Sequence, residues 1–203
     1  MNIYNIYYVM LAAWFIFFPK ISQNNVKDWQ LIKEKGEIKV WYRVKSDGHR
    51  EYKAEMVTKV SVKEIVDLIQ NDELGTKWIN RAVAFKTIDQ EADSSWYTYT
   101  EIEIPWPFDN KDLVSYNRVF YQSPDSAFIK MDAVPNHIPE EKNKARIVHM
   151  DASWAAKSLD EQSSVLTYTV ASHAYGLPPW IAQPIVAHGL YTTLHDMDKV
   201  LQE

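Results

Sequence analysis

The six histidines are the first residues to ask for chemistry. His188 and His195 lie seven apart on a predicted helix, so they share a face. About 10.5 Å of helical rise separates them, too far for one metal ion. His149, His173 and the acidic residues are scattered, with neither H-E-x-x-H nor G-x-S-x-G spacing. The chain has no cysteine, which removes disulfides, thiol catalysis, thiolate metal sites and a lipoprotein attachment site. An acid–base pair would need Glu101 or Glu103 to face the interior together with His149. The sequence therefore reads as a protein without catalytic residues, metal or cofactor. Its histidines read as surface or satisfied core groups, with His188 expected on the interior side of the last helix.

A second set of residues suits binding. In the strand predicted from Ser95, Trp96, Thr98, Thr100, Ile102 and Ile104 alternate with Tyr97, Tyr99, Glu101 and Glu103. The first set is the less polar and is expected to point inward. Leu113, Ser115, Asn117, Val119 and Tyr121 follow on the next strand, then Ala127, Ile129, Met131 and Ala133. Thr98, Thr100, Ser115, Ala127 and Ala133 are smaller than a solid core requires. They leave room for a ligand, or for close approach of a helix. Asn117 is positioned to orient a ligand hydroxyl or carbonyl, or to bond a neighbouring strand.

The elements that must carry these residues follow from periodicity. Val26 to Lys35 is expected to be a short amphipathic helix stopped by Gly36. Ile38–Val44 and Tyr52–Val60 are strands joined at Ser46-Asp47-Gly48. Ser61 with Glu64 forms a capping box for a helix reaching Gln70, and a shorter helix covers Glu73 to Ile79. Six strands follow: Val83–Asp89, Ser95–Ile104, Leu113–Gln122, Ala127–Val134, Ala145–Ala155 and Val165–His173. Short turns between them imply an antiparallel meander. The last helix runs from Pro179 to Leu201, with Pro184 inside it and an apolar stripe of Leu190, Leu194, Met197 and Leu201.

The N-terminus is a separate object. Ile6 to Phe18 is unbroken apolar sequence ending at Pro19-Lys20, apolar all round as a signal-peptide core is. Residues 1–23 are expected to be a signal peptide or a retained hydrophobic anchor, and 24–203 one folded domain. The expected location is outside the cytoplasm, periplasmic or secreted. A net charge of −5 without a basic block argues against nucleic acid. Eight tryptophans and twelve tyrosines suit a packed domain around an apolar ligand.

The order and spacing of these landmarks resemble the START (steroidogenic acute regulatory protein-related lipid transfer) family. The carriers are Trp29-Gln30-Leu31 with Gly36 to Arg43, Asp72 with Trp78, and Pro105-Trp106-Pro107 with Asn110 to Val114. Pro139 to Lys142, Arg146, Ser153-Trp154, Leu166-Thr167-Tyr168 and Gly176 to Trp180 complete them. The match spans residues 26 to 203. Lys111 stands where the family usually has Arg, and Thr98 and Asn117 fall near its sterol-binding acid–arginine pair.

The resemblance implies an α+β helix-grip fold, with about eight to nine curved antiparallel strands wrapped around a long C-terminal helix over an internal cavity. It implies non-catalytic binding, with possible transfer, of a lipid or other hydrophobic molecule by a monomer in transient membrane contact. The expected cavity residues are Trp96, Thr98, Thr100, Ile102, Ser115, Asn117, Met131, Trp154, Ile181, Ile185 and His188. Trp106, Pro107 and Trp180 are the expected gate. The alternative is a helix-grip enzyme of cyclase or dehydratase type.

Overall fold

The structure, a computed structural model, describes residues 28–104, 106, 109–172 and 179–203. The expected signal segment, residues 1–23, lies outside them, as do Pro107 and His173. Ten strands form one sheet: β1 (Gln30–Lys35), β2 (Ile38–Val44), β3 (Arg50–Thr58), β4 (Ala82–Ala92), β5 (Ser95–Ile102), β6 (Asn110–Ser123), β7 (Ser126–Ala133), β8 (Lys144–Arg146), β9 (Met150–Ser158) and β10 (Ser164–Ser172). Among the described residues three helices accompany them: α1 (Val62–Ile69), α2 (Gly75–Trp78) and α3 (Pro179–Leu201). The strand order is β1-β2-β3-β10-β9-β7-β6-β5-β4, with β8 beside the start of β6. The expected meander is present, and β10 closes it onto β3.

Three sequence expectations are corrected. The described part of the segment expected as a first helix forms β1, an edge strand antiparallel to β2. Gly36, at φ +59°, makes a two-residue hairpin turn between Lys35 and Ile38 rather than a helix stop. The segment Ala145–Ala155 is two strands, because β8 pairs in parallel with Asn110–Asp112 before the chain turns into β9. This addition raises the count to ten. The helix expected over Glu73–Ile79 is a single turn, α2.

Local chemistry explains the connections between the two halves of the sheet. The Ser61 hydroxyl accepts from the Glu64 amide at 3.3 Å, and the Glu64 carboxylate accepts from the Ser61 amide at 2.8 Å. Helix α1 then buries Val62, Ile65, Val66, Leu68 and Ile69. Asp72 accepts from both the amide and the hydroxyl of Thr87, each at 2.8 Å, fixing the α1–α2 turn to β4. Gly75 packs so tightly on Phe85 that a Cβ there would lie 2.1 Å from Phe85 Cδ1. That close approach seats Trp78 over the sheet. Its ring meets Trp154 edge-on, centroids 5.9 Å apart.

Candidate functional site

Strand pairing stacks the inward side chains in rows across the sheet. One row runs Ile38, Met56, Leu166, Ala156 and Ala127. The next runs Val40, Ala54, Tyr168, Trp154, Ile129 and Val119. The third runs Tyr42, Tyr52, Val170, Ala152, Met131, Asn117 and Trp96. Every residue named in the first row is buried, as are those in the second apart from Tyr168. In the third row Tyr42, Val170 and Met131 remain half-buried, and so do Ala133 and Met150 just beyond it.

The long helix explains this gradient. Leu190, Leu194 and Met197 are buried in the same core cluster as the first two rows. Pro184 lies in the first half of α3, where a proline removes one helical hydrogen bond. In that half the buried residues are the small Ala182 and Ala187. Arg50 Nη1 donates to Gln183 Oε1 at 3.3 Å, joining the start of β3 to this part of the helix. A recess of about 280 Å³ lies between Ile32 of β1 and Trp180, Gln183, Pro184 and Ala187.

Tyr168 carries the mark of an interior wall. Its ring stacks on Trp154 at 4.0 Å, yet part of the residue stays accessible. Burial alone pushes its phenol up to about 12, because the charged form would lose its water. Trp154 in turn donates its indole N–H to Met131 Sδ at 3.1 Å.

Trp96, Thr98 and Thr100 on β5 and Leu113, Ser115, Asn117 and Val119 on β6 are buried as the inward register requires. Tyr121, expected inward, is instead 54% exposed near the end of β6. The polar members of the set satisfy each other. Thr98 Oγ1 and Ser115 Oγ lie 2.8 Å apart, and Ser115 donates to Asn117 Oδ1 at 3.2 Å. Asn117 Nδ2 reaches Thr98 Oγ1 at 3.1 Å and the Trp96 carbonyl at 3.3 Å. Of the two roles weighed for Asn117, bonding to neighbouring strands is the one present. Trp96, Thr98, Thr100, Ser115, Asn117 and Trp154 are buried, whereas Ile102, Met131 and Ile181 are half-buried.

Two expected cavity residues are misplaced. Ile185 is 59% exposed, and His188 is exposed with its Nδ1 3.4 Å from Lys33 Nζ of β1. Both lie off the stripe that Leu190 extends backward through Ala187, where small side chains let the helix approach the sheet. At the expected gate, Trp106 is 92% and Trp180 76% exposed.

The acids are engaged outside the interior. Glu101 accepts from Lys144 Nζ at 2.7 Å and Asn110 Nδ2 at 3.0 Å, and these bonds lower its pKa. Glu103 is exposed. His149 lies with Lys45, Asp47, His49, Asp132 and Asp151 around a separate recess of about 300 Å³ at the end of the sheet. Among the described residues no three His, Asp or Glu gather as a metal ion would require. The sequence reading named Asp112 and Arg146 as separate landmarks but missed their pairing, a buried ion pair at 2.8 Å between β6 and β8.

A curved antiparallel sheet folded over one long C-terminal helix, with a hybrid of packed and accessible inward rows, is the helix-grip arrangement, and the chain is a START-like domain. No family model matches. The chain is 28% identical over 171 residues to an uncharacterized protein of Pseudomonas aeruginosa, covering 83% of this chain and 84% of that one. It is similar to the crystal structure of a STAR-related lipid transfer protein from Xanthomonas axonopodis: TM-score 0.77, 25% identity, 87% of this chain and all of that one. Human STARD10 aligns at TM-score 0.74 and 18% identity, over 89% of this chain and 76% of that one. A Streptomyces aromatase/cyclase aligns at TM-score 0.57 and 12% identity, over 75% and 93%.

Proposed function

We propose that this domain binds a lipid or other hydrophobic molecule, without catalysis, between its sheet and the first half of α3. The observation that carries the reading is the gradient across the inward rows, dry beneath Leu194 and Met197 and accessible beside Tyr168, Val170 and Met131. The similarity to a STAR-related lipid transfer protein supports it. The driving term is apolar burial, about 25 cal/mol per Å², less the cost of immobilising the ligand. The start of α3 and the loop bearing Trp106 form the gate, because their exposed rings suit a membrane interface. Export to the periplasm or beyond, directed by residues 1–23, belongs to the same proposal, with retention as an N-terminal membrane anchor as its alternative.

The enzyme reading has one point in its favour, the aromatase/cyclase among similar folds. Against it stands the outward engagement of Glu101 by Lys144.

Native mass spectrometry of protein from its own host, with lipid extraction, tests the binding reading. Bound lipid is expected in the parent and lost in a folded Val170→Trp variant, which fills the half-buried third row. Equal lipid content in both would overturn this location of the site.

A further inference from the structure

Three tyrosines lie together on the inward face of β2, β3 and β10. Tyr42 and Tyr52 are directly opposite, with ring centroids 6.4 Å apart. Tyr168 pairs with Ala54, two residues along β3 from Tyr52. This makes Tyr52 and Tyr168 diagonal neighbours, roughly 7–8 Å apart at that position in a sheet.

The Tyr52 hydroxyl is buried and has no hydrogen-bond partner, in a residue only 4% exposed. The Trp78 indole N–H, on the ring that meets Trp154, is buried and unpartnered too. A buried donor left in this state is destabilising relative to a paired one, so the Tyr52 hydroxyl points to a missing acceptor. The Tyr168 phenol stays protonated well above neutral pH, so it too is a donor.

The surroundings limit what that acceptor belongs to. No Asp, Glu, Lys or Arg occurs among the described residues of the three rows from Ile38 to Trp96. Asn117 has already spent its amide on Thr98 and the Trp96 carbonyl. A charged head buried among these rows would find no opposite charge within them, which costs far more than burying a neutral oxygen. Arg50, two residues before Tyr52 on β3, stands at the edge of the cluster, its guanidinium 5.3 Å from the Tyr42 ring centroid and donating to Gln183.

We infer that Tyr52 and Tyr168 form a neutral donor site that selects an uncharged lipid carrying a hydroxyl or carbonyl oxygen on its buried end. The inference rests on the binding reading above and adds the ligand's chemical class. The phenols donate to the oxygen, the Trp154 face packs beside it, and the hydrocarbon lies toward Met131 and the first half of α3.

The test uses the whole protein loaded with the neutral fluorescent probe N-phenyl-1-naphthylamine. The probe is displaced in turn by oleyl alcohol, oleyl methyl ketone, cis-9-octadecene and oleate at pH 8. The alcohol or the ketone is expected to compete at least tenfold more tightly than the hydrocarbon and the carboxylate. Which of the two does so assigns the oxygen. In the Tyr52→Phe, Tyr168→Phe double variant this advantage, taken as the ratio of alcohol or ketone affinity to hydrocarbon affinity, should fall about tenfold. Tyr52→Phe alone should also raise the melting temperature of protein without added ligand, because it deletes an unpaired buried hydroxyl. Oleate binding as tightly as the alcohol, or an oxygen preference surviving the double substitution, overturns the donor site and leaves hydrophobic binding standing. Failure to take up the probe at all overturns both.

Discussion

Asp112 and Arg146 meet in a buried two-point ion pair, with Oδ1–Nε at 3.0 Å and Oδ2–Nη2 at 2.8 Å. Arg146 also donates to the carbonyls of Pro135, Ile138 and Pro139. One guanidinium thus closes the β7–β8 loop over the outer face of β6, and Asp112 raises its pKa further. Arg146→Met strands a buried carboxylate and frees three carbonyls. A loss of about 3–5 kcal/mol is expected in urea unfolding. Arg146→Met with Asp112→Leu should recover part of that loss, since no charge is then left unpaired. A double variant as unstable as the single one would show that the loop carbonyls, not the ion pair, dominate.

The tight approach of Gly75 to Phe85 gives a second expectation. Gly75→Ala places a methyl group within 2.1–2.7 Å of three Phe85 atoms, Cβ included, so a rotamer change of Phe85 does not relieve it. Helix α2 must then lift and carry Trp78 away from Trp154. Overpacking of this kind costs typically 1–3 kcal/mol. Thermal unfolding of Gly75→Ala alone and with Phe85→Gly, which removes the Cβ as well as the ring, should show strong coupling, the pair costing less than the sum. Additivity would place the strain elsewhere.

Much of this architecture was legible because local signals agree with the global fold. The capping box at Ser61 and Glu64, the turn at Gly48 and the inward set from Trp96 to Met131 follow from spacing alone. Gly36 misled because a glycine in the left-handed region ends a helix as well as it turns a hairpin, and only pairing with β2 distinguishes them. The pairing of Asp112 with Arg146 spans 34 residues and arises from β8, too short to carry a periodic signal. The helix register failed at Ile185 and His188 because bulk suggested the inward face. Close packing instead placed Ala182 and Ala187 there. The tyrosine cluster had a signal that was not used: Tyr42 shares the alternation of Ile38 and Val40, which are both buried.

Alkaline pH should weaken the fold through Tyr168. Its phenol lies at about 12 in the folded chain against an ordinary value of about 10 in the unfolded one. Between these values the unfolded state gives up the proton and the folded state keeps it. Stability is therefore full below about pH 10 and falls as pH rises toward 12, by about 2–3 kcal/mol at the upper end. Tyr97 is also pushed up to about 12, by its hydrogen bond to Glu91, so the diagnostic measurement is a difference. Denaturation of the parent and of Tyr168→Phe from pH 8 to 11.5 should diverge above pH 10, with the variant losing less. Parallel curves would mean that Tyr168 titrates normally.

The two halves of α3 should open separately. Leu194 and Met197 are fully buried, and Leu190 nearly so, whereas Trp180 and Ile185 face solvent and Pro184 lacks an amide to donate. A side-chain hydrogen bond from Arg50 to Gln183 ties the first half to the start of β3. Local opening is drawn from segments with few buried apolar contacts, so amides from Ile181 to Ala187 should exchange much faster than those from Tyr191 to Val200. Arg50→Ala should widen the difference by speeding the first set alone. Added ligand should narrow it, because a molecule held beneath the first half gives those residues an apolar face to bury. Uniform protection along the helix, unaffected by ligand or by Arg50→Ala, would mean that α3 moves as one rigid body and that the entrance lies at another edge of the sheet.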